Sequence, residues 1–299
     1  MMKLASKYIG VDIGGTHIAV GEVDLSKKII KPGSRFREEV NALASYDDIM
    51  EKWVGVMKRL LDDTNPNEVN IGIAMPGPFD YQQGISYIKD LDKYEALYGC
   101  NIKQAFAAEL GILPENILFR NDAESFLHAE VLSLEIPESE KVVGVTLGTG
   151  LGSAVSCRGN TKDVFRAITP MHDGISEDYI SSRWFVKRYF ELTGLFLENG
   201  VKGLMNSNDN EVREMLFKEF SINLGTFLNS FAADEEASHI VIGGNIAKCW
   251  DEFIVVVREN ILNQQILISK SKLWEDAAMV GAVSLFDLKI KGVGDFRTC

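Results

Sequence analysis

Short apolar runs alternate along this chain with longer stretches in which apolar positions recur every three or four residues, the pattern of strands interleaved with amphipathic helices. Lys7 to Ile13 reads as a buried strand, Gly14-Gly15-Thr16 as a tight turn and His17 to Asp24 as the returning strand. Ser45 is placed to cap a helix whose Ile49, Trp53, Met57 and Leu60 share one face. Asp47 and Asp48 fall in its first turn, where the helix dipole favours carboxylates. A strand from Val69 to Ala74 follows, then Met75-Pro76-Gly77-Pro78 and a loop-rich stretch. A helix near Lys103 to Leu110 and a strand from Asn116 to Arg120 come next, and a helix from Ala123 to Leu134 opens directly after Asn121-Asp122. In the second half a long helical pattern around Glu211 to Phe231 precedes the strand Ser238 to Ile242, which ends in Gly243-Gly244-Asn245. A last helix is expected near Ala277 to Leu288.

One pattern occurs twice. Tyr8 to Thr16 (YIGVDIGGT) aligns without a gap on Val142 to Gly150 (VVGVTLGTG), and alternating strand-like segments follow both. A period of this length is far beyond the roughly 20 to 50 residues of solenoid repeats and points instead to duplication of a whole lobe. Mixed strands and crossover helices in both halves give an α/β class. The chain, 299 residues long, is expected to divide into a smaller lobe, residues 1–119, and a larger one, 120–299, with the last helix (277–289) packing back on the first.

Composition removes several functional classes. The formal charge of −12 opposes general attraction to nucleic acid or anionic lipid. No apolar run reaches the roughly 20 residues of a membrane span, and MMKLASKYIGVDIGG leads into a strand rather than a signal-peptide cleavage site. Cys100, Cys157, Cys249 and Cys299 form no C-x-x-C pair, so they read as reduced thiols of a cytoplasmic protein.

The chemistry lies in the turns. Gly14-Gly15-Thr16 and Gly148-Thr149-Gly150 follow buried strands, and without a Cβ their backbone N–H groups can approach a phosphate closely. Either turn alone could be a plain hairpin; two matched turns make that reading weaker. GTGLGS lacks the third glycine of a dinucleotide fingerprint and no G-K-[ST] is present, so neither a Rossmann nor a P-loop site fits. Asp12, just before the first turn, could hold magnesium through water beside ATP phosphates or simply cap the turn. Asp122, at a strand end that opens a helix, could be a helix N-cap, a catalytic base, or both. His17, His128, His172 and His239 have no metal-ligand spacing and read as structural or surface residues.

Five ordered segments, YIGVDIGGTHIAVGEVD, IGIAMPGPFD, LFRNDAESFLHAE, VVGVTLGTGLGSAV and IVIGGNIAKC, resemble the ROK family (repressor, open reading frame, kinase) across nearly the whole chain. The resemblance implies an actin and hexokinase-like (ribonuclease H-like) duplicated fold with ATP and a sugar bound in a central cleft. By position it makes Asp122 the catalytic base, Asn121 a ligand to sugar hydroxyls and Gly77 part of the sugar pocket. It assigns Asp12, Gly14, Gly15, Thr16, Gly148, Thr149 and Gly150 to the phosphate and magnesium region, with Gly243, Gly244 and Asn245 near the adenosine. One departure stands out: where many members carry a C-x-C-G-x-x-G-C cluster binding structural zinc, this chain reads VFRAITPMHDGISEDYISSRW, without cysteine. No structural zinc is therefore expected, while Glu177 resembles the family's sugar-contacting glutamate and His172 stands in for its histidine.

The activity implied is ATP- and magnesium-dependent phosphorylation of a hexose or hexosamine, glucokinase-like or N-acylhexosamine kinase-like. Similar proteins form dimers, so a homodimer is compatible with the resemblance, with sugar and ATP as the only other partners. The rival is a non-catalytic sugar sensor or a ROK-type transcriptional regulator. Regulators resemble the kinase fold preceded by a helix-turn-helix domain, whereas the first kinase strand here starts near Lys7.

Overall fold

In the computed structural model the described residues are 7–61, 64–91 and 93–290. They form two compact units: one runs to Ser133 and resumes at Glu275, and the other is Leu134–Trp274. The division thus falls after Ser133 rather than at 119/120, because the helix that follows Asn121 packs chiefly on the helix Ala277–Val283, which belongs to the same unit.

The first unit opens with the hairpin β1 (Lys7–Ile13) and β2 (His17–Asp24), edged by the short β3 (Ile29–Ile30) and β4 (Phe36–Glu39). Helix α1 (Tyr46–Lys58) is capped by Ser45, whose side chain accepts the Asp48 N–H, and it buries Ile49, Trp53 and Met57 as its periodicity requires. Strand β5 (Val69–Met75) pairs parallel with β1, and after a small hairpin, β6 (Phe79–Asp80) and β7 (Ile85–Ser86), comes helix α2 (Ile102–Leu110). Strand β8 (Ile117–Asn121) adds in parallel to β5 and runs directly into α3 (Asp122–Ser133), giving a sheet of order β3-β2-β1-β5-β8 with β4 also on β2.

The second unit repeats this plan. Strands β9 (Val142–Leu147) and β10 (Leu151–Cys157) form a hairpin edged by β11 (Asn160–Asp163). A two-stranded ribbon, β12 (Pro170–Met171) and β13 (Gly174–Ile175), leads into α4 (Ser176–Tyr179), α5 (Ser182–Thr193), α6 (Gly200–Asn206) and the long α7 (Asn210–Asp234). Strand β14 (His239–Gly243) pairs parallel with β9; α8 (Trp250–Asn260) and β15 (Leu267–Lys270) complete a sheet of order β11-β10-β9-β14-β15. The two hairpins close at equivalent positions of their first strands, Ile13 with Ile18 and Leu147 with Leu151, but the second turn is one residue shorter, so their registers differ by one residue beyond the ungapped repeat. A cluster of aromatic rings, Phe185, Phe217, Phe220 and Phe253, fills the core of this unit.

Helices α9 (Ala277–Val283) and α10 (Leu285–Ile290) belong to the first unit. Glycines let α9 lie against the sheet at backbone distance. Gly10 and Gly72 face each other in the β1–β5 register, and a Cβ on them would stand 2.7 Å from Met279 and 2.5 Å from the Ala282–Val283 peptide. On its other side α9 meets α3 so closely that a Cβ at Gly281 would be 1.8 Å from the Ser125 carbonyl oxygen. The buried Arg120 guanidinium donates to the Gly281 carbonyl (3.3 Å) and to Ser284 Oγ (3.4 Å), tying β8 to the same helix. No described helix is long and apolar enough to cross a membrane.

Candidate active site

Three neighbouring parallel strands of the first unit carry the site. The register puts Asp12 of β1 beside Ala74 of β5, and Met75 beside Asn121 of β8, so Asp12, the Met75–Gly77 turn and Asn121-Asp122 all lie at the carboxyl ends of adjacent strands. In open α/β sheets those ends are where ligands bind, because the strands stop there and the chain turns away.

Asn121 and Asp122 divide their local work differently from the sequence expectation. The N-cap of α3 is Asn121: its Oδ1 accepts the N–H groups of Ala123 (2.8 Å) and Glu124 (3.1 Å). Asp122 is the first helical residue, and its Oδ1 accepts the Ala123 N–H at 2.9 Å. Its carboxylate is half-buried, and its pKa is raised, first by burial and then by the charge of Asp12, with the Ala123 N–H and Lys93 opposing. A carboxylate with an increased affinity for protons, beside a second carboxylate, is suited to serve as a general base.

The first glycine turn is built as a hairpin tip. The Gly14 N–H donates to the His17 carbonyl (2.9 Å), while the Gly14 carbonyl accepts the hydroxyl of Tyr94 at 2.6 Å. Tyr94 is fully buried, and burial, together with the nearby Asp12 charge, raises its pKa, keeping it a neutral donor. Gly15 and Thr16 are exposed, and a Cβ on Gly15 would meet nothing within 4 Å, so the backbone there is open to approach. The ring of His17 covers Gly14, where a Cβ would stand 2.4 Å from Cε1, and its Nε2 lies 3.7 Å from Asp12 Oδ2. His17, read from sequence as a structural or surface residue, thus touches the residue expected to face magnesium. A single half-buried carboxylate fits a magnesium ion that keeps most of its waters and arrives with nucleotide phosphates.

The second unit brings its own two turns together. The Gly148 N–H donates to the Gly150 carbonyl (3.0 Å) and the Ser182 N–H to the Gly148 carbonyl (2.7 Å), leaving Thr149 exposed at the tip. Gly244, at φ +88°, packs on the end of β9; a Cβ there would lie 2.5 Å from the Leu147 backbone nitrogen and oxygen. Gly243 stands opposite Thr146 in register, so the Gly243-Gly244-Asn245 turn adjoins the Gly148-Thr149-Gly150 turn.

Glu177 is tied to that same turn. Its Oε2 accepts the Leu151 N–H at 2.9 Å and lies 2.4 Å from where a Cβ of Gly150 would be, while its other oxygen pairs with Arg183. His172 sits at the tip of the β12–β13 ribbon at φ +50°, hydrogen-bonded through Nε2 to Asn223 Oδ1 (3.1 Å) and packed against Tyr179. Among the described residues no group of three or more His, Cys, Asp or Glu side chains is arranged to hold a metal ion. Metal analysis of tag-free protein is expected to find no stoichiometric zinc, because no thiolate set can converge near residues 163–178. Zinc at one per chain, released only with unfolding, would refute this.

Sequence reasoning missed two side chains, Tyr94 and Tyr81; the Tyr81 hydroxyl donates to the Met75 carbonyl at 3.1 Å and accepts from Asn121 Nδ2 at 3.2 Å. Nothing in their local sequence marks them, since each acts on a main-chain or side-chain group set by another strand.

Residues 8–162 match the model of the ROK family. Over 154 residues the chain is 27% identical to a glucokinase of Thermotoga maritima, covering 51% of this chain and 45% of that protein. Over 167 residues it is 26% identical to an N-acetyl-D-glucosamine kinase of Pectobacterium carotovorum, covering 52% and 48%. The matched stretch therefore spans about half the length of these curated relatives. A ROK family glucokinase from Streptomyces griseus, solved with glucose and AMPPNP, superposes with a TM-score of 0.73 at 20% identity, covering 94% of this chain and 99% of that one. The fold is accordingly the actin and hexokinase-like α/β fold of the ROK sugar kinases.

Proposed function

We propose that this chain, which belongs to the ROK family, is an ATP-dependent kinase that phosphorylates a hydroxyl of a neutral hexose or an N-acylated hexosamine. The observation that carries the proposal is the Asp122 carboxylate, raised in pKa at the end of β8 and flanked by Asn121 and Asp12. The two curated relatives, a glucokinase and an N-acetyl-D-glucosamine kinase, support the same substrate class.

In this reading Asp122 accepts the proton of the attacking hydroxyl while the new O–P bond forms and the bond to the departing ADP oxygen breaks. Asn121 donates to a sugar hydroxyl and so orients the acceptor, with the backbone at Gly77 forming part of the sugar pocket. Glu177 and His172 are assigned to the sugar in the same reading. The amides of Gly14, Gly15, Thr16, Gly148, Thr149 and Gly150 take phosphate oxygens, and Gly243, Gly244 and Asn245 line the adenosine. Asp12 would hold magnesium through its water; bound with ATP, the ion neutralises phosphate charge. Phosphoryl transfer needs chiefly positioning and charge stabilisation, which these groups can provide without covalent chemistry of their own. The same reading places the protein in the cytoplasm, with a homodimer as its assembly.

Coupled ADP release over a panel of hexoses and hexosamines, with ATP and magnesium, tests the proposal. Sugar-dependent ADP from at least one of them is the expected result, with the phosphorylated position read by NMR. Sugar binding without any ADP at high protein concentration would replace the kinase by a sugar sensor.

A further inference from the structure

Tyr81 follows the PGPFD turn and belongs to none of the glycine turns or the Asn121-Asp122 pair, yet its hydroxyl stands between two parts of the site. It donates to the Met75 carbonyl at the end of β5 (3.1 Å), and Asn121 Nδ2 donates to it across the strand pair at 3.2 Å. A tyrosine hydroxyl has one proton, and the Met75 carbonyl can only accept, so towards Asn121 the hydroxyl must be the acceptor. Asn121 Oδ1 is already engaged by the Ala123 and Glu124 N–H groups. Both ends of the carboxamide are therefore determined, and its two faces cannot exchange. The ring is itself held by packing on Phe79, which packs in turn on Phe119 of β8. Gly77 makes room for the arrangement: a Cβ there would lie 3.1 Å from the Tyr81 hydroxyl.

We infer that Tyr81 is a positioning residue for the phosphoryl acceptor. Its hydroxyl locks the Asn121 carboxamide so that the second amide hydrogen faces the sugar hydroxyl. The inference rests on the sugar-kinase reading of Asn121 and Asp122. Tyr81 acts through Asn121 and touches neither the transferred phosphoryl group nor the proton.

Tyr81→Phe in the full chain removes only the hydroxyl. Sugar KM, and sugar Kd measured by calorimetry without ATP, are expected to rise about three- to tenfold, the effect of one neutral hydrogen bond. The turnover number and the KM for ATP should stay within about twofold, a split that general loosening of the fold would not produce. In an Asn121→Asp background, which keeps the cap acceptor and loses the donor, adding Tyr81→Phe should weaken sugar binding no further. Unchanged sugar affinity in Tyr81→Phe, or an equal additional loss in the double variant, overturns the inference. Wild-type protein that neither binds a sugar nor releases ADP would sink the kinase reading by itself. The lock on Asn121 is then read from the exchange of its side-chain amide protons by NMR: faster exchange in Tyr81→Phe supports it, and unchanged exchange refutes it.

Discussion

Asp122→Asn leaves the protein folded and able to bind sugar but lowers the turnover number by about 10²- to 10⁴-fold, the usual contribution of a general base. The substitution preserves size and an oxygen that can still accept the Ala123 N–H, which Asp122 takes at 2.9 Å. Because Asn121, not Asp122, caps α3, the helix keeps its main N-terminal acceptor. The pH dependence follows from the raised pKa of Asp122. As a base it must be ionised, so activity should fall on the acid side at a pH above the ordinary aspartate range, and Asp122→Asn should abolish that limb. For stability the sign is the reverse of a salt-bridged carboxylate. A folded-state pKa above the unfolded one means the folded state binds the proton more tightly, so Asp122 costs stability at neutral pH, and that cost is relieved as pH falls through its folded-state pKa. Asp122→Asn should accordingly be no less stable than wild type at pH 7 by thermal unfolding. A folded variant with near wild-type turnover would remove Asp122 from the role of base; an unfolded one would make it chiefly structural.

Gly281→Ala is expected to destabilise the first unit strongly, although it places a better helix former inside α9. The propensity gain is about 1 kcal/mol. Against it stands a Cβ 1.8 Å from the Ser125 carbonyl oxygen, with the Ser125 backbone carbon at 2.5 Å. Main-chain atoms of α3 cannot rotate aside as a side chain would, and the close backbone contacts of α9 with Gly10 and Gly72 leave the helix little room to move instead. Overpacking of this kind costs about 1 to 3 kcal/mol and occasionally more, and a backbone clash belongs at the upper end. The net loss should be roughly 2 kcal/mol, a fall in melting temperature of roughly 4 to 8 °C for a chain of this size. Gly55→Ala serves as the control: Gly55 is an exposed position within α1 whose Cβ would meet nothing within 4 Å, so the same change should be neutral or mildly stabilising. Equal melting temperatures for Gly281→Ala and wild type would show that the α3–α9 contact is looser than its geometry implies.

The strands and helices, and the repeat of a hairpin with a three-residue glycine tip, are legible in the residues because they are local. Alternation, helical periodicity, the Ser45 cap and the turns at Gly14 and Gly148 each depend on neighbours within a few positions. The ungapped match of Tyr8–Thr16 with Val142–Gly150 gives the first strand and the turn glycines of each hairpin, while the register of the returning strand differs by one residue between the two. What no local pattern carries is the order of strands in a sheet. That β5 lies between β1 and β8, bringing Asp12 close enough to raise the pKa of Asp122, follows from parallel pairing of segments far apart in the chain. The choice of Asn121 over Asp122 as helix cap is equally hidden, since both residue types cap well. Gly77 reads in the sequence as a turn glycine; in the fold it is the space that a tyrosine hydroxyl needs. The sequence by itself determined which residue types stand at strand ends and turns; tertiary structure alone decided which of them meet, because hydrogen-bond register and close packing act between segments that sequence distance keeps apart.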